Sequence, residues 1–314
     1  MQNTFRCSLR RHAFSLSVVL AVAAGLFGSA SAAGQISPFK TYSAASYGTG
    51  GIALRNRGTG VLHVSGVTGR VQDAYLYWAI LFNTTTPGKT LYNALLTRVF
   101  PFPVSYPVTL QGTLLGIGAD PCWSSKGVAV FRAQVPKSIA AGNGAYEVTI
   151  ASGRTDGSDP WATSSVFPLA EGASMVIVGS GAWTVGIYDA GFTATTFYGS
   201  NPFTYTLNLP GPLSTDALWD NIGAGGQAGS SRHNVPYTDS ETTTINSTQI
   251  AGPGTGTLNP DSDWNGSAGL PIPQLWDDTG HDIFSAVSGD TTAAFSIFAP
   301  GNCLVTVSNV LAVR

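Results

Sequence analysis

The sequence predicts an all-β protein of the β-sandwich or jelly-roll class. Apolar residues recur at alternate positions over short stretches, and no helical period is sustained for about ten residues or more. Val, Ile, Thr, Tyr and Phe dominate these stretches, and Gly, Pro, Asn or Asp bounds each of them. Charged residues make up only 10% of the chain, against roughly 25% in typical soluble domains. Such an uncharged polar surface suits an extended exterior β-protein.

The predicted strands follow one another at the short intervals typical of a sandwich or jelly roll. In chain order they are Val61–Val67, Asp73–Phe82, Val104–Leu110, Val128–Val135, Ala145–Ala151, Ser174–Val178, Trp183–Tyr188, Thr204–Leu209, Ala293–Phe298 and Leu304–Val313.

The second of these strands carries aromatic residues on both faces. Tyr75 and Tyr77 share one face because side chains alternate along a strand, and Leu76 and Trp78 share the other. The pattern predicts an interior strand covered on both sides, and the alternative is a strand with one face open to a ligand.

Residues 1–32 have the three-part pattern of a secretory signal peptide. Three arginines precede an apolar and small stretch over residues 14–27, and small residues permit cleavage after Ala32. We expect Sec export rather than Tat export, because the aromatic residue after Arg10-Arg11 comes one position late. No later stretch reaches the roughly 20 apolar residues of a membrane helix. The expected mature protein is therefore secreted, extracellular or at the cell surface, without an integral membrane segment.

Charge disfavours a nucleic-acid partner. Cleavage removes three of the 15 basic residues and none of the 17 acidic ones, which leaves 12 basic against 17 acidic residues. This acidic balance disfavours a nucleic-acid partner, which would require a basic face. The expected partners are an extracellular glycan or a surface protein.

Two cysteines remain after cleavage, Cys122 and Cys303. In an exported chain such a pair forms a disulfide more often than a metal or catalytic site. We therefore predict a bridge that fastens the early part of the chain to its last strand.

A weak internal echo suggests two related sandwich halves packed as one unit. In each half, apolar residues four positions apart are followed by a Gly-Asn or Gly-Asp turn signal and then by a strand. The turn-rich connection over residues 151–160 predicts a division into residues 33–160 and 161–314, the second with a long loop-rich insertion at about 211–281. The echoing residues are Val135, Ile139, Gly142, Asn143 and Tyr146–Ile150 in the first half, and Ile283, Val287, Gly289, Asp290 and Phe295–Ile297 in the second.

An ordered set of short motifs resembles exported bacterial surface proteins of uncharacterised function. The resemblance implies β-sandwich modules in a cell-surface or extracellular-matrix context, and it supplies no catalytic residues. The motifs are Ala74-Tyr-Leu-Tyr-Trp78, Pro121-Cys-Trp123, Ala141-Gly-Asn-Gly-Ala-Tyr146, Glu171-Gly-Ala-Ser-Met-Val-Ile-Val178 and Ile187-Tyr-Asp-Ala-Gly191.

Motifs for catalysis are few. No G-x-S-x-G elbow occurs, and none of His63, His233 and His281 belongs to a metal-binding pair. Paired carboxylates for glycoside cleavage are harder to exclude. Glu147 could point from a sheet face into a cleft, although an ordinary solvated position is the simpler interpretation. We predict no catalytic residue.

The segment from Asp261 to Asn265 resembles the front of a calcium loop. Asp261, Asp263 and Asn265 place oxygen side chains at alternate positions before a glycine, as calcium loops do. No glutamate stands at the twelfth position, so Asp277 or Asp278 would have to close the site. The alternative is an Asx-rich turn. Calcium is the one cofactor that the sequence suggests.

Three tryptophans, Trp219, Trp264 and Trp276, fall in the loop-rich region. Aromatic faces on loops can stack on sugar rings, so we predict these residues as ligand-binding. The alternative is a role in the core or in anchoring loops.

These observations predict a secreted, non-catalytic protein that binds or builds extracellular structure, with glycans as the leading ligand class. The rival is a polysaccharide-active hydrolase or lyase on a jelly-roll scaffold. A convergent carboxylate pair in a groove would favour the rival, and an exposed aromatic platform would favour binding.

Overall fold

The structure is a computed structural model that confirms the all-β sandwich class. In the residues that it describes there are eighteen strands, one 3-10 helix at Lys89–Tyr92 and one short α-helix, α1, at Phe284–Val287. In the part of the chain that it describes, no helix is long and apolar enough to cross a membrane. The predicted signal peptide lies outside the described residues, which are 36–119, 122–160, 163–190, 196–197, 202–226, 241–254, 264, 266, 268, 275–299 and 303–314.

A ten-stranded antiparallel sheet forms the centre of the molecule. Nine strands run in the order β16-β13-β18-β10-β1-β9-β3-β7-β6, and β11 pairs with β18 beside this path. The strands are β1 (Ser37–Ala53), β3 (Val71–Phe82), β6 (Thr113–Gly118), β7 (Gly127–Gln134), β9 (Leu169–Ser180), β10 (Trp183–Asp189), β11 (Thr196–Phe197), β13 (Ala217–Ala224), β16 (Trp276–Asp282) and β18 (Leu304–Val313).

Two four-stranded sheets cover the outer face of the central sheet. The first has the order β2-β8-β4-β5 and the second has the order β12-β17-β14-β15. Their strands are β2 (Thr59–Val64), β4 (Asn93–Phe100), β5 (Val108–Gln111), β8 (Gly144–Ile150), β12 (Phe203–Asn208), β14 (Thr242–Ile245), β15 (Thr248–Ala251) and β17 (Thr292–Phe298).

The strand order shows that the fold contains one arrangement twice. When the four strands of each covering sheet are numbered in chain order, both sheets have the spatial order 1-4-2-3. The central sheet repeats as well, because β7-β3-β9-β1 in one half corresponds to β16-β13-β18-β10 in the other. The halves meet where β1 pairs antiparallel with β10. The two echoing segments carry the equivalent strands β8 and β17.

The topological repeat changes over between β9 and β10, at residues 181–182, whereas the predicted division lies at residue 160. Strand β9 follows the turn-rich connection but pairs with β3 and β1 of the first half. The segment predicted as a loop-rich insertion contains four strands, β13 to β16. The pattern missed them because many of their residues are polar or glycine.

Three apolar clusters correspond to this architecture. One lies between the first covering sheet and the outer faces of β3, β7 and β9, and it includes Trp78 stacked on Phe131. Another lies under the second covering sheet, where Tyr205 stacks on Phe295. The remaining cluster lies on the inner face of the central sheet and includes Tyr75 and Tyr77 of β3. Strand β3 is therefore buried on both faces, as predicted.

The central sheet curls so that β16 packs against β1 and β9. Trp276 is fully buried at this contact, and its Nε1 donates a hydrogen bond to Ser174 Oγ at 2.9 Å. Glycine leaves the space for its ring, because a Cβ at Gly172 would lie 2.4 Å from Trp276 Cδ2. The curl brings the inner faces of the two halves together.

The predicted disulfide between Cys122 and Cys303 is present, with its Cα atoms 6.2 Å apart. It joins a loop of the first half to the residue before β18. Trp123 beside it lies under the Arg55 guanidinium, 4.3 Å from the ring centroid, and Arg55 forms a buried ion pair with Glu171.

Candidate functional site

A cleft of about 640 Å³ opens where the curled sheet leaves a gap between β1 and the pair β13 and β16. Tyr47 and Thr49 reach the cleft because alternate residues of β1 face the inside of the curl. Asp220 of β13 reaches it from the opposite side. The lining residues that matter here are Ser46, Tyr47, Thr49, Trp183, Asp220 and Asp282.

Asp220 lines this cleft, and a second carboxyl group, that of Asp278, lies close to it. Tyr47 donates a short hydrogen bond to Asp220 Oδ2, and Thr49 Oγ1 donates to Asp220 Oδ1 at 3.1 Å. Asp278 of β16 lies deeper and hydrogen-bonds with Ser174 and Thr49. Its Oδ2 is buried without a hydrogen-bond partner in the described part of the chain. One hydroxyl, that of Thr49, therefore contacts both carboxyl groups.

The pair is set up to hold a proton at neutral pH. Burial raises the pKa of Asp278 to about 7, and the negative charge of Asp220 adds to this rise, while hydrogen bonds with Ser174 and Thr49 oppose it. Burial also raises the pKa of Asp220, against the hydrogen bonds from Tyr47 and Thr49. Two adjacent carboxyl groups cannot both ionise cheaply, so below about pH 7 the pair keeps one proton, which we place on Asp278.

The other half of the fold provides a comparison for this site. There Tyr77 of β3 donates to Asp189 Oδ1 of β10 at 2.9 Å. Strand β3 corresponds to β13, and β10 corresponds to β1. The two hydrogen bonds therefore join equivalent strands, but Tyr77 stands on the strand equivalent to that of Asp220, and Asp189 on the strand equivalent to that of Tyr47. Arg132 of β7 forms an ion pair with Asp189. Strand β16, the counterpart of β7, supplies Asp278 instead of a cation.

The three tryptophans predicted to bind a ligand are all in the interior. Trp219, Trp264 and Trp276 are each exposed by 1% or less. Trp219 Nε1 donates to Asn309 Oδ1 at 2.6 Å under the second covering sheet, and Gly223 leaves space for the ring of Trp264. The expected exposure of these rings is wrong, because Trp219 and Trp276 lie on paired strands and Trp264 packs against Gly223 of β13. Their faces are not available to a glycan in this conformation.

The calcium loop stays a prediction. Asp261, Asp263 and Asn265 lie outside the described residues. Asp277 is fully buried, and its Oδ1 accepts a hydrogen bond from the Gly266 backbone N–H at 2.7 Å. Among the residues that the structure describes, no group of three or more His, Cys, Asp or Glu is arranged to hold a metal ion.

Exposed aromatic residues occur elsewhere, on the aromatic loop over residues 100–106. Phe100, Phe102 and Tyr106 are exposed by 54%, 76% and 90%, and Val104 between them is exposed by 51%. This loop connects β4 to β5. The predicted strand from Val104 begins only at Val108, because prolines at 101, 103 and 107 interrupt the ladder.

The aromatic loop is held by specific hydrogen bonds. Ser105 N donates to the Arg98 carbonyl at 2.9 Å, and Arg98 N donates to Ser105 Oγ at 2.8 Å. The Arg98 guanidinium donates to the Pro103 carbonyl at 3.1 Å and to the Ser138 carbonyl at 3.4 Å. The three prolines fix further backbone angles. Alternation of proline with apolar residues was the available sequence signal for this loop.

No protein-family model matches the chain, and no curated protein matches it. Among solved structures, the chain is weakly similar to "Recombinant peptide: N-glycanase F (PNGase F)", with 13% identity over 86% of this chain and 96% of that chain and a TM-score of 0.27. The structure of PNGase F described as a glycosylasparaginase from Flavobacterium meningosepticum has 11% identity over 85% and 96% of the two chains and a TM-score of 0.28.

BuGH86 in complex with neoagarooctaose has 10% identity over 80% of this chain and a TM-score of 0.28. The chain spans about a third of the length of that protein, 34%. Identities and TM-scores of this size are too low to transfer an activity.

Proposed function

We propose that this is a secreted, non-catalytic protein that binds glycans at the cell surface or in the extracellular matrix through its aromatic loop. The observation that carries the proposal is the exposure of Phe102 and Tyr106 on a loop that Arg98 and Ser105 hold in place. Contiguous exposed apolar groups mark binding sites on soluble proteins.

A glycan suits this loop better than a larger apolar partner. Each ring offers a flat apolar face to the C–H face of a sugar, and the Tyr106 hydroxyl offers a hydrogen bond beside it. Hydrogen bonds hold the loop before binding, so the protein loses little conformational entropy when a polysaccharide docks.

A binding screen on the mature protein, residues 33–314, tests the proposal. Phe102→Ala and Tyr106→Ala should each weaken glycan affinity about tenfold, the loss expected at an aromatic hot spot. Ile117→Ala, which shortens an exposed side chain on β6, should leave affinity unchanged and serves as the control.

Two results would contradict the proposal. In the first, wild type binds no glycan but binds lipid vesicles or forms oligomers, and Phe102→Ala abolishes that behaviour. Alternatively, glycan binding could be unaffected by both aromatic substitutions, which would place the glycan elsewhere.

The carboxylate pair in the cleft favours polysaccharide cleavage as a second candidate function. The proton held by Asp278 would pass through the Thr49 hydroxyl, which contacts both carboxyl groups, to Asp220. Asp220 lines the cleft and would donate this proton to a glycosidic oxygen as the C–O bond breaks. Water would then add to the anomeric carbon and return a proton to the pair, so one water is consumed for each bond cleaved. The position of Asp278 behind Asp220 makes it a positioning residue for that proton.

Release of reducing ends from a polysaccharide panel tests this candidate. Asp220→Asn should abolish release, and Asp278→Asn should move the pH profile. Asp189→Asn, in the tyrosine–aspartate pair of the other half, should leave the profile in place. Absence of release from every polysaccharide by wild type would exclude cleavage of that panel.

A further inference from the structure

Positive charge gathers in one hollow of this acidic protein. The hollow has a volume of about 530 Å³, and Lys40, Arg70 and Lys137 are among its lining residues. Asp73 is the single carboxylate in the lining, and it is already engaged by Lys40 Nζ at 2.7 Å and by Tyr42 Oη at 3.0 Å. Among the residues that the structure describes, no carboxylate forms an ion pair with Arg70 or Lys137.

The floor of the hollow is fixed. Tyr42 and Tyr75 join their hydroxyl groups at 2.8 Å, and Gln134 Nε2 donates to Asp73 Oδ1 at 3.2 Å. Burial would raise the pKa of Asp73, but the hydrogen bonds from Lys40 and Tyr42 and the charge of Lys137 lower it below its ordinary value. Asp73 is thus ionised and saturated, which leaves two positive charges for an incoming anion.

The hollow and the aromatic loop are joined through one turn. Lys137 lines the hollow, and the carbonyl of the next residue, Ser138, accepts the hydrogen bond from Arg98 that also anchors the aromatic loop. The aromatic loop and the hollow therefore both contact the turn at residues 137–138.

We propose that the hollow lined by Lys40, Arg70 and Lys137 is an anion site that takes the carboxylate or sulfate groups of an acidic polysaccharide. This inference rests on the proposed glycan-binding function and names its ligand class. Aromatic rings without nearby cations would serve neutral and acidic glycans alike, whereas the uncompensated cations favour the acidic ones.

Titration with four defined polysaccharides tests the inference. Polygalacturonate presents carboxylates, dextran sulfate presents sulfates, and dextran and pullulan are neutral. The double variant Arg70→Gln/Lys137→Gln should weaken binding of at least one acidic polymer tenfold or more, with the stronger effect identifying carboxylate or sulfate as the preferred group. Lys89→Gln/Lys126→Gln removes the same charge at exposed positions elsewhere and should change affinity less than twofold (about 0.4 kcal/mol).

The outcomes separate this inference from the proposed function. The anion site would be overturned if both double variants lost affinity equally, or if neutral polymers bound as tightly as acidic ones. In either case, a loss of affinity in Phe102→Ala would still uphold the aromatic loop. Loss of binding in Arg70→Gln/Lys137→Gln with Phe102→Ala silent would uphold the anion site and overturn the loop. Wild type that binds none of the four polymers would overturn the anion site.

Discussion

At the scale of single residues, the raised pKa of the Asp278 carboxyl group makes the stability of the protein depend on pH. Its pKa is about 7 in the folded protein, against an ordinary 3.8 in an unfolded chain. The folded state therefore binds the proton more tightly between these values, and stability falls as pH rises through this window. Above about pH 7 the full penalty applies, with an upper bound of about 4 kcal/mol.

Asp278→Asn removes this titration and keeps a polar side chain of the same size. We expect the variant to be close to wild type at about pH 4 and to become more stable than wild type, by up to a few kcal/mol, at about pH 8. Urea unfolding of both proteins across this range measures the difference in free energy of unfolding.

Asp216→Asn is the control, because the pKa of Asp216 is shifted in the opposite direction to that of Asp278. A hydrogen bond from Arg314 lowers the pKa of Asp216, so Asp216 is ionised throughout the window and the difference from wild type should stay flat there. A difference for Asp278→Asn that is equally flat would show that Asp278 does not retain its proton.

At the scale of elements, prediction succeeded where burial and β propensity coincide. Strands β3, β9 and β18 are buried on both faces, and their Val-, Ile- and aromatic-rich segments were recognised. Strands β13 and β16 were missed because Asp, Asn, Gly and His have low β propensity. Their burial comes from pairing with each other and with β18, which no local pattern records.

The same cause explains the candidate site. The carboxyl pair lies on β13 and β16, whose Asp, Asn and Gly residues conflict with the strand that they form, and such local conflicts are expected at functional sites. The tryptophans were placed on loops because their neighbours looked loop-like. The aromatic loop was partly assigned to a strand, since Val104 and Tyr106 have high β propensity despite the adjoining prolines.

Contact between β9 and β16 depends on a glycine, and this gives an element-scale prediction. A Cβ at Gly172 would meet the Trp276 ring at 2.4 Å and the Ile52 carbonyl at 2.7 Å. We expect Gly172→Ala to lower the free energy of unfolding by about 1–3 kcal/mol through overpacking. Urea unfolding monitored by tryptophan fluorescence measures the loss.

Gly88→Ala is the matched control for this substitution. Gly88 has φ of −64°, and the nearest atom to an added Cβ is 4.0 Å away. Its free energy of unfolding should stay within about 0.5 kcal/mol of wild type. A Gly172→Ala variant as stable as this control would show that β16 does not pack on β9 as described.

At the scale of the whole molecule, two repeated halves are combined into one folding unit. The central sheet is continuous across the β1–β10 junction, and inner-face residues from both halves share a cluster. The Tyr47–Asp220 and Tyr77–Asp189 hydrogen bonds each join one half to the other. Because so many contacts cross the junction, we expect a single cooperative unfolding transition.

The disulfide is the covalent link between these halves, and its removal gives a whole-molecule prediction. Cys122 and Cys303 are 181 residues apart in sequence, so the bridge restricts most of the unfolded chain. In the chain-entropy model a loop of this length contributes roughly 5 kcal/mol at most, and native bridges commonly contribute about 2–5 kcal/mol. The double variant Cys122→Ser/Cys303→Ser should lose stability in this range while retaining one transition. Reductant should lower the unfolding midpoint of wild type to that of the variant and leave the variant unchanged. A wild-type midpoint that equals that of the variant and does not respond to reductant would show that the bridge does not constrain the chain.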